Sequence, residues 1–89
     1  MRTMLLQWDR DAWSDYLYWQ SEDKRILRKV NQLLQDILRS PFEGIGKPEA
    51  LKGNLTGMWS RRIDGANRVV YSVNGNIIYI LACRGHYKR

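Results

Sequence analysis

The chain has 89 residues, 44% of them hydrophobic, and a formal net charge of +6. That length allows one domain with one modest core, and that apolar content excludes a disordered tail. The positive balance favours a polyanion or an acidic protein as partner, against the blander reading of a merely soluble basic protein.

Residues 4–8 are a short apolar run ending in Trp8 and are predicted to form a strand, at an edge or inside a sheet. Asp9 is placed to cap a helix over about 10–20, with Asp11 adding negative charge to its first turn. Ser21 is the expected cap of a second helix, 22–39. Its Ile26, Leu27, Val30, Leu33, Leu34, Ile37 and Leu38 recur at spacings of three and four and make one buried stripe. Lys24, Arg25, Arg28, Lys29, Gln32, Gln35 and Asp36 fall on its other face. Ser40-Pro41 stops the helix.

Residues 40–53 hold Pro41, Gly44, Gly46, Pro48 and Gly53 and read as a loop. Ordered loops this long in small domains are often functional. Strands are expected at 57–63, 68–73 and 77–83, joined by an Asp64-Gly65 turn and a tight Asn74-Gly75-Asn76 hairpin. The order implies an α+β fold, a single domain over 1–89. Two N-terminal helices pack on one face of an antiparallel β-sheet. The opposite face is left open, and there residues from 49–62, 68 and 84–87 can converge.

Cys83, the single cysteine, lies in the apolar run 77–83 and reads as a buried small hydrophobe. One cysteine forms no internal disulfide, which points to a reducing compartment, the cytoplasm. No signal-peptide pattern precedes Asp9, no apolar run approaches bilayer length, and no membrane partner is expected.

A carboxylate, a lone imidazole and several guanidiniums on a small basic domain fit general acid–base cleavage of RNA. The nucleophile in that reaction is the substrate's own 2′-hydroxyl. Glu49, between Lys47 and Lys52 and after the stiff Pro48, is the candidate base; the competing reading is a solvated loop glutamate paired with a lysine. His86, the only histidine, is the candidate acid, because imidazole titrates near neutral pH. An ordinary surface histidine near the chain end is its alternative. Arg62 and Arg68 are candidate phosphate clamps, since guanidinium presents a planar, permanently charged fork. If Trp59, Arg61 and Ile63 share one face of their strand, Arg62 points the other way.

Tyr87 can stack on a base, bond a phosphate or cap the core. Lys47, Lys52, Arg61 and Arg84 are further candidates for phosphate contact. Trp13, Trp19, Trp59, Tyr16 and Tyr18 read as core or interface. One His and one Cys do not make a zinc site of the usual kind, and Gly44-Ile45-Gly46-Lys47 lacks P-loop spacing. Neither metal nor cofactor is expected.

Several segments together carry a family resemblance. They are Trp13-Ser14-Asp15-Tyr16-Leu17-Tyr18-Trp19-Gln20, Pro41-Phe42-Glu43-Gly44, Gly46-Lys47-Pro48-Glu49, Trp59-Ser60-Arg61-Arg62-Ile63, Arg68-Val69-Val70-Tyr71 and Ala82-Cys83-Arg84-Gly85-His86-Tyr87. Combined, they resemble the YoeB (Txe) toxins of the RelE/ParE superfamily over about Leu5 to Tyr87. The resemblance implies a RelE-like, microbial-RNase-like fold and a toxin of a type II toxin–antitoxin pair. Such toxins cut messenger RNA in the A site of the 70S ribosome, leaving a 2′,3′-cyclic phosphate and a 5′-hydroxyl. The family's motif residues fall on Glu49, Lys52, Arg62, Arg68, His86 and Tyr87. It implies ribosomal RNA contacts, a homodimer, neutralisation by a YefM-type antitoxin, and operator DNA bound mainly through the antitoxin complex. Two departures stand out: Lys88 and Arg89 follow the tyrosine where many relatives stop, and the start is a few residues longer, with Met4 an alternative initiator. Two rival readings are a ParE-like gyrase inhibitor without nuclease chemistry and an inactive nucleic-acid-binding or antitoxin-docking module.

Overall fold

The computed structural model describes residues 3–85. Its elements in chain order are β1 (Leu5–Trp8), α1 (Arg10–Glu22), α2 (Lys24–Arg39), β2 (Glu49–Ala50), a 3-10 turn (Gly53–Leu55), β3 (Met58–Arg62), β4 (Arg68–Asn74) and β5 (Ile77–Ala82). The strands form one sheet in the order β1-β5-β4-β3-β2.

Asp9 caps α1 as the sequence suggests, its carboxylate accepting the Asp11 N–H at 3.0 Å. The second cap differs from expectation. Asp23, not Ser21, holds the start of α2, accepting from the N–H groups of Arg25 and Ile26 at 3.0 and 3.2 Å. The Ser21 hydroxyl donates back to the Tyr18 carbonyl inside α1. Asp23 is extended (φ −157, ψ 100) and so separates the helices, and a carboxylate is the stronger acceptor at a positive helix end. Helix α2 ends at Ser40, because a residue before proline is disfavoured in the helical region.

The sheet is mixed rather than wholly antiparallel. β2, β3, β4 and β5 pair antiparallel in turn, but β1 lies parallel to β5 at the edge, Leu5 opposite Ile77 and Trp8 opposite Ile80. The reason is connectivity: β1 runs into a helical hairpin, and a parallel neighbour needs such a long connection, here nearly the whole chain. The short strand β2 lies inside the stretch read as loop. Two exposed residues are too few for a periodic signal. The β4–β5 hairpin turns at Gly75 (φ 61) and Asn76, which matches the sequence.

The core lies between α2 and the sheet. Val30, Leu33, Leu34 and Ile37 meet Ile63, Val69, Tyr71, Ile78, Ile80 and Cys83, joined by Ala12 and Trp19 of α1. Each fully buried Leu or Ile contributes roughly 1.5–3 kcal/mol. α1 is less deeply embedded: Trp13 and Leu17 stay exposed, with Trp13 stacked on Tyr16 and edge-on to Trp8. Among the described residues no helix is long and apolar enough to cross a membrane.

Candidate active site on the open face of the sheet

Alternation along the strands sends Trp59, Arg61, Val69, Tyr71, Ile78 and Ile80 toward the helices, and their neighbours to the other face. The antiparallel register then sorts that open face. Glu49 lies opposite Ser60, and Ser60 opposite Val70. One row along, Arg62 lies opposite Arg68. Directly opposed residues project to the same side of a sheet. Glu49, Arg62 and Arg68, three candidates spread over 19 positions of sequence, therefore share one face. Glu49 and Arg62 are exposed and Arg68 is half-buried.

The approach to Glu49 is set by an unusual backbone. Lys47 has φ +52, a left-handed conformation costly for a residue with a Cβ. Gly46 (φ 81) packs so tightly that an added Cβ would lie 2.7 Å from Leu33. Its carbonyl accepts the Arg62 N–H at 2.7 Å, which extends the β2–β3 edge back to the loop. Lys47 and Lys52 are exposed on either side of β2.

Arg61 has a different place from the one its charge suggests. It is fully buried on the helix side, and all five of its N–H donors are used. Nε donates to the Tyr71 hydroxyl at 3.2 Å, and Nη1 to the Asp36 carboxylate and, at 3.0 Å, to the Ile45 carbonyl. Nη2 donates to the carbonyls of Ser40 and Glu43 at 2.6 and 3.1 Å. Tyr71 in turn donates to the Pro41 carbonyl at 2.6 Å. Arg61 is thus the anchor of loop 40–46 and has no donor left for an RNA phosphate. Asp36, assigned by helical spacing to the solvent side, is its ion-pair partner, only 10% exposed. Hydrogen bonds from Arg39 and Arg61 hold the Asp36 carboxyl well below its ordinary range, at about 2. Gly44 is required beside this pair, since a Cβ there would lie 2.0 Å from an Asp36 oxygen. A signal for Arg61 was present in the sequence: it stands between Trp59 and Ile63 on the apolar side of its strand. Nothing in the local pattern marked Asp36 as its partner.

Arg84 is exposed, and its guanidinium lies over the Tyr18 ring of α1, 3.5 Å from the centroid. His86 and Tyr87 lie outside the described residues, as do Lys88 and Arg89. The chain leading to them is firmly held. Trp19 Nε1 donates to the Cys83 carbonyl at 2.8 Å, and the Cys83 N–H donates to Asp15 at 3.1 Å. The Gly85 N–H donates to Asn67 Oδ1 at 2.7 Å, and its carbonyl accepts the Arg68 N–H at 3.1 Å. A bulge in β5 opposite Val70 and Tyr71 helps turn the strand end toward this corner. The last described residue is therefore bonded to Arg68. Cys83 is buried, its thiol pushed up to about 12 by loss of solvent, so it is no nucleophile.

Ser60 and Val70, in the middle of the open face, are each 1% exposed although neither belongs to the core cluster under the helices. Sequence reasoning passed over Ser60, which is neither charged nor aromatic. Among the described residues no group of three or more His, Cys, Asp or Glu side chains is arranged to hold a metal ion.

Comparison with known proteins agrees with this architecture. Residues 8–87 match the family model described as a YoeB-like toxin of bacterial type II toxin-antitoxin system. Toxin YoeB of Escherichia coli K12 is 56% identical over 84 residues, covering 94% of this chain and all of that protein. Among solved structures, the YoeB/ParE toxin from Agrobacterium tumefaciens superposes with a TM-score of 0.90 at 44% identity, covering 94% of this chain and 100% of that one. The YoeB dimer from Staphylococcus aureus gives 0.88 at 46% identity, covering 97% and 100%. The heterotetrameric YoeB-YefM complex from the same organism gives 0.87 at 46% identity, covering 98% and 100%.

Proposed function

Because the chain belongs to the YoeB-like toxins of bacterial type II toxin–antitoxin systems, we propose that it is a ribosome-dependent endoribonuclease acting by metal-free acid–base catalysis. The observation that carries this reading is the register of the open face. A carboxylate on β2 and two arginines paired across β3 and β4 stand together there, beside the corner from which the His86-Tyr87 tail departs.

In this reading Glu49 takes the proton of the ribose 2′-hydroxyl, and the oxygen attacks the adjacent phosphorus. Arg62 and Arg68 stabilise the charge that develops on the phosphoryl oxygens. His86 gives a proton to the departing 5′-oxygen, and the products are a 2′,3′-cyclic phosphate and a 5′-hydroxyl. Tyr87 orients the nucleotide by stacking or by bonding a phosphate. Lys47 and Lys52 contact message or ribosomal RNA, and the net charge of +6 speeds encounter with that polyanion. The chain works in the cytoplasm. Its partners are the message in the ribosomal A site, a second copy of itself and a YefM-type antitoxin. Operator DNA is met through the antitoxin complex. The dimer and the YefM complex of the S. aureus relative support the two protein partners.

End-group mapping of messenger RNA after a short pulse of expression tests the reading. Cyclic-phosphate ends inside codons on ribosomes, lost in E49Q and H86A, are the expected result. Intact messages with gyrase-linked DNA breaks would replace it with the ParE-like alternative.

A further inference from the structure

The buried Ser60 hydroxyl has no hydrogen-bond partner among the described residues. Buried polar groups are bonded in the great majority of cases, and leaving one unmet is costly. Such an orphan at the centre of a candidate active face points to a partner that arrives later. The sheet register limits what that partner is. Across β4, Ser60 faces the hydrocarbon of Val70. Along β3 on the same face stand Met58 and Arg62, and opposite Arg62 stands Arg68. The arginines donate only. Ser72 pairs with Met58 and so is a diagonal neighbour, about 7–8 Å away and beyond a hydroxyl's reach. Across β2 stands Glu49, whose carboxylate is the one side-chain acceptor directly opposite. Opposed Cβ atoms in such a ladder lie about 4.5–5.5 Å apart. A change between staggered rotamers brings a glutamate oxygen to hydrogen-bond distance of the serine Oγ.

We propose that Ser60 is a positioning residue for Glu49: when RNA fills the open face, the Ser60 hydroxyl donates to one carboxylate oxygen and directs the other at the substrate 2′-hydroxyl. The inference rests on the nuclease reading above. It explains how a three-torsion side chain on an exposed two-residue edge strand is held in one geometry during reaction. Ser60 gains and loses no covalent bond; the 2′-hydroxyl proton passes to the free Glu49 oxygen. Arg62 of β3 and Arg68 of β4 share the face with Glu49, and Lys47 and Lys52 flank it in the chain.

The test is single-turnover cleavage of message on programmed ribosomes for the unaltered chain, S60A, S60T, E49Q and E49Q/S60A. S60A is expected to lower the saturated rate by about tenfold to a hundredfold with little change in half-saturation. S60T, which keeps the hydroxyl, restores the rate, and E49Q/S60A is no slower than E49Q. The thermal midpoint of S60A stays level or rises, since the free protein loses only an unmet polar group. An unrestored rate in S60T, an equal further loss in the E49Q background, or a lowered thermal midpoint overturns the role while leaving the nuclease reading standing. Absence of cleavage by the unaltered chain on ribosomes removes both.

Discussion

Arg61 and Arg62 are neighbours in the chain and have opposite fates. Arg61 points under the helices, is fully buried and spends every donor on Asp36, Tyr71 and three loop carbonyls. Arg62 points to the open face, is exposed, and lies opposite Arg68 near Glu49. The difference teaches that charge alone does not identify a phosphate ligand. A cation whose hydrogen bonds are all met inside the protein holds the fold together, and one with no side-chain partner among the described residues on an exposed face is free to meet an anion. One side of β3 anchors the loop that leads to Glu49, and the other side shares a face with it.

The comparison breaks most sharply at Arg61. R61A leaves Asp36 to Arg39 and the Ile45 N–H, strands three loop carbonyls and takes away the donor to the Tyr71 hydroxyl, and removing one partner of a buried ion-pair network costs about 3–5 kcal/mol. A domain of this size has little more stability than that, so R61A should be largely unfolded by circular dichroism and urea titration. R61K should fail too, since an ammonium has three donors and no fork. R62A, in contrast, should leave the unfolding curve nearly unchanged.

Glu49 tests the other face. E49Q should fold with the unaltered midpoint and lose about 10²–10⁴ in cleavage rate, read as cyclic-phosphate ends on ribosome-bound message. Next in size is R68A, expected to lose about 10²–10³ in rate. The same variant should bind ribosomes with a shallower salt dependence, measured by co-sedimentation over a salt series.

The smallest effect sharpens the helix-side network through pH. Asp36 titrates at about 2 in the folded chain against an ordinary 3.8. A folded value below the unfolded one means the unfolded state binds the proton first as pH falls. The stabilisation is therefore complete above about pH 4 and drains away between about 4 and 2. Thermal midpoints should fall across that window, and D36N, already without the charge, should show a flatter acid slope from a lower plateau.

Much of this was legible in the chain. The three-and-four spacing of Val30, Leu33, Leu34 and Ile37 marked α2 and its buried stripe, and Asp9 marked the start of α1. Gly75 marked the hairpin, because a left-handed turn residue is a local requirement. The paired strands carried Arg62 and Arg68 in runs where alternation is readable. Less legible were the features that depend on a second segment. Asp23 displaced Ser21 as the cap, since both side chains suit the role and only the backbone angles decide between them. β2 is too short to have a period, and its pairing with β3 is what brings Glu49 opposite Ser60.

Sequence by itself determined the two helices and the four longer strands, their order, the toxin family and the pool of chemical groups, because helix and strand periods, caps and turns act over a few residues. Tertiary structure supplied Arg61 with Asp36 and the loop carbonyls as its partners, from segments 16 or more residues away. It also set the parallel seating of β1 beside β5 and the isolation of the Ser60 hydroxyl. Those outcomes depend on contacts between segments far apart in the chain, where burial and the supply of hydrogen-bond partners are settled jointly, and no local pattern encodes them.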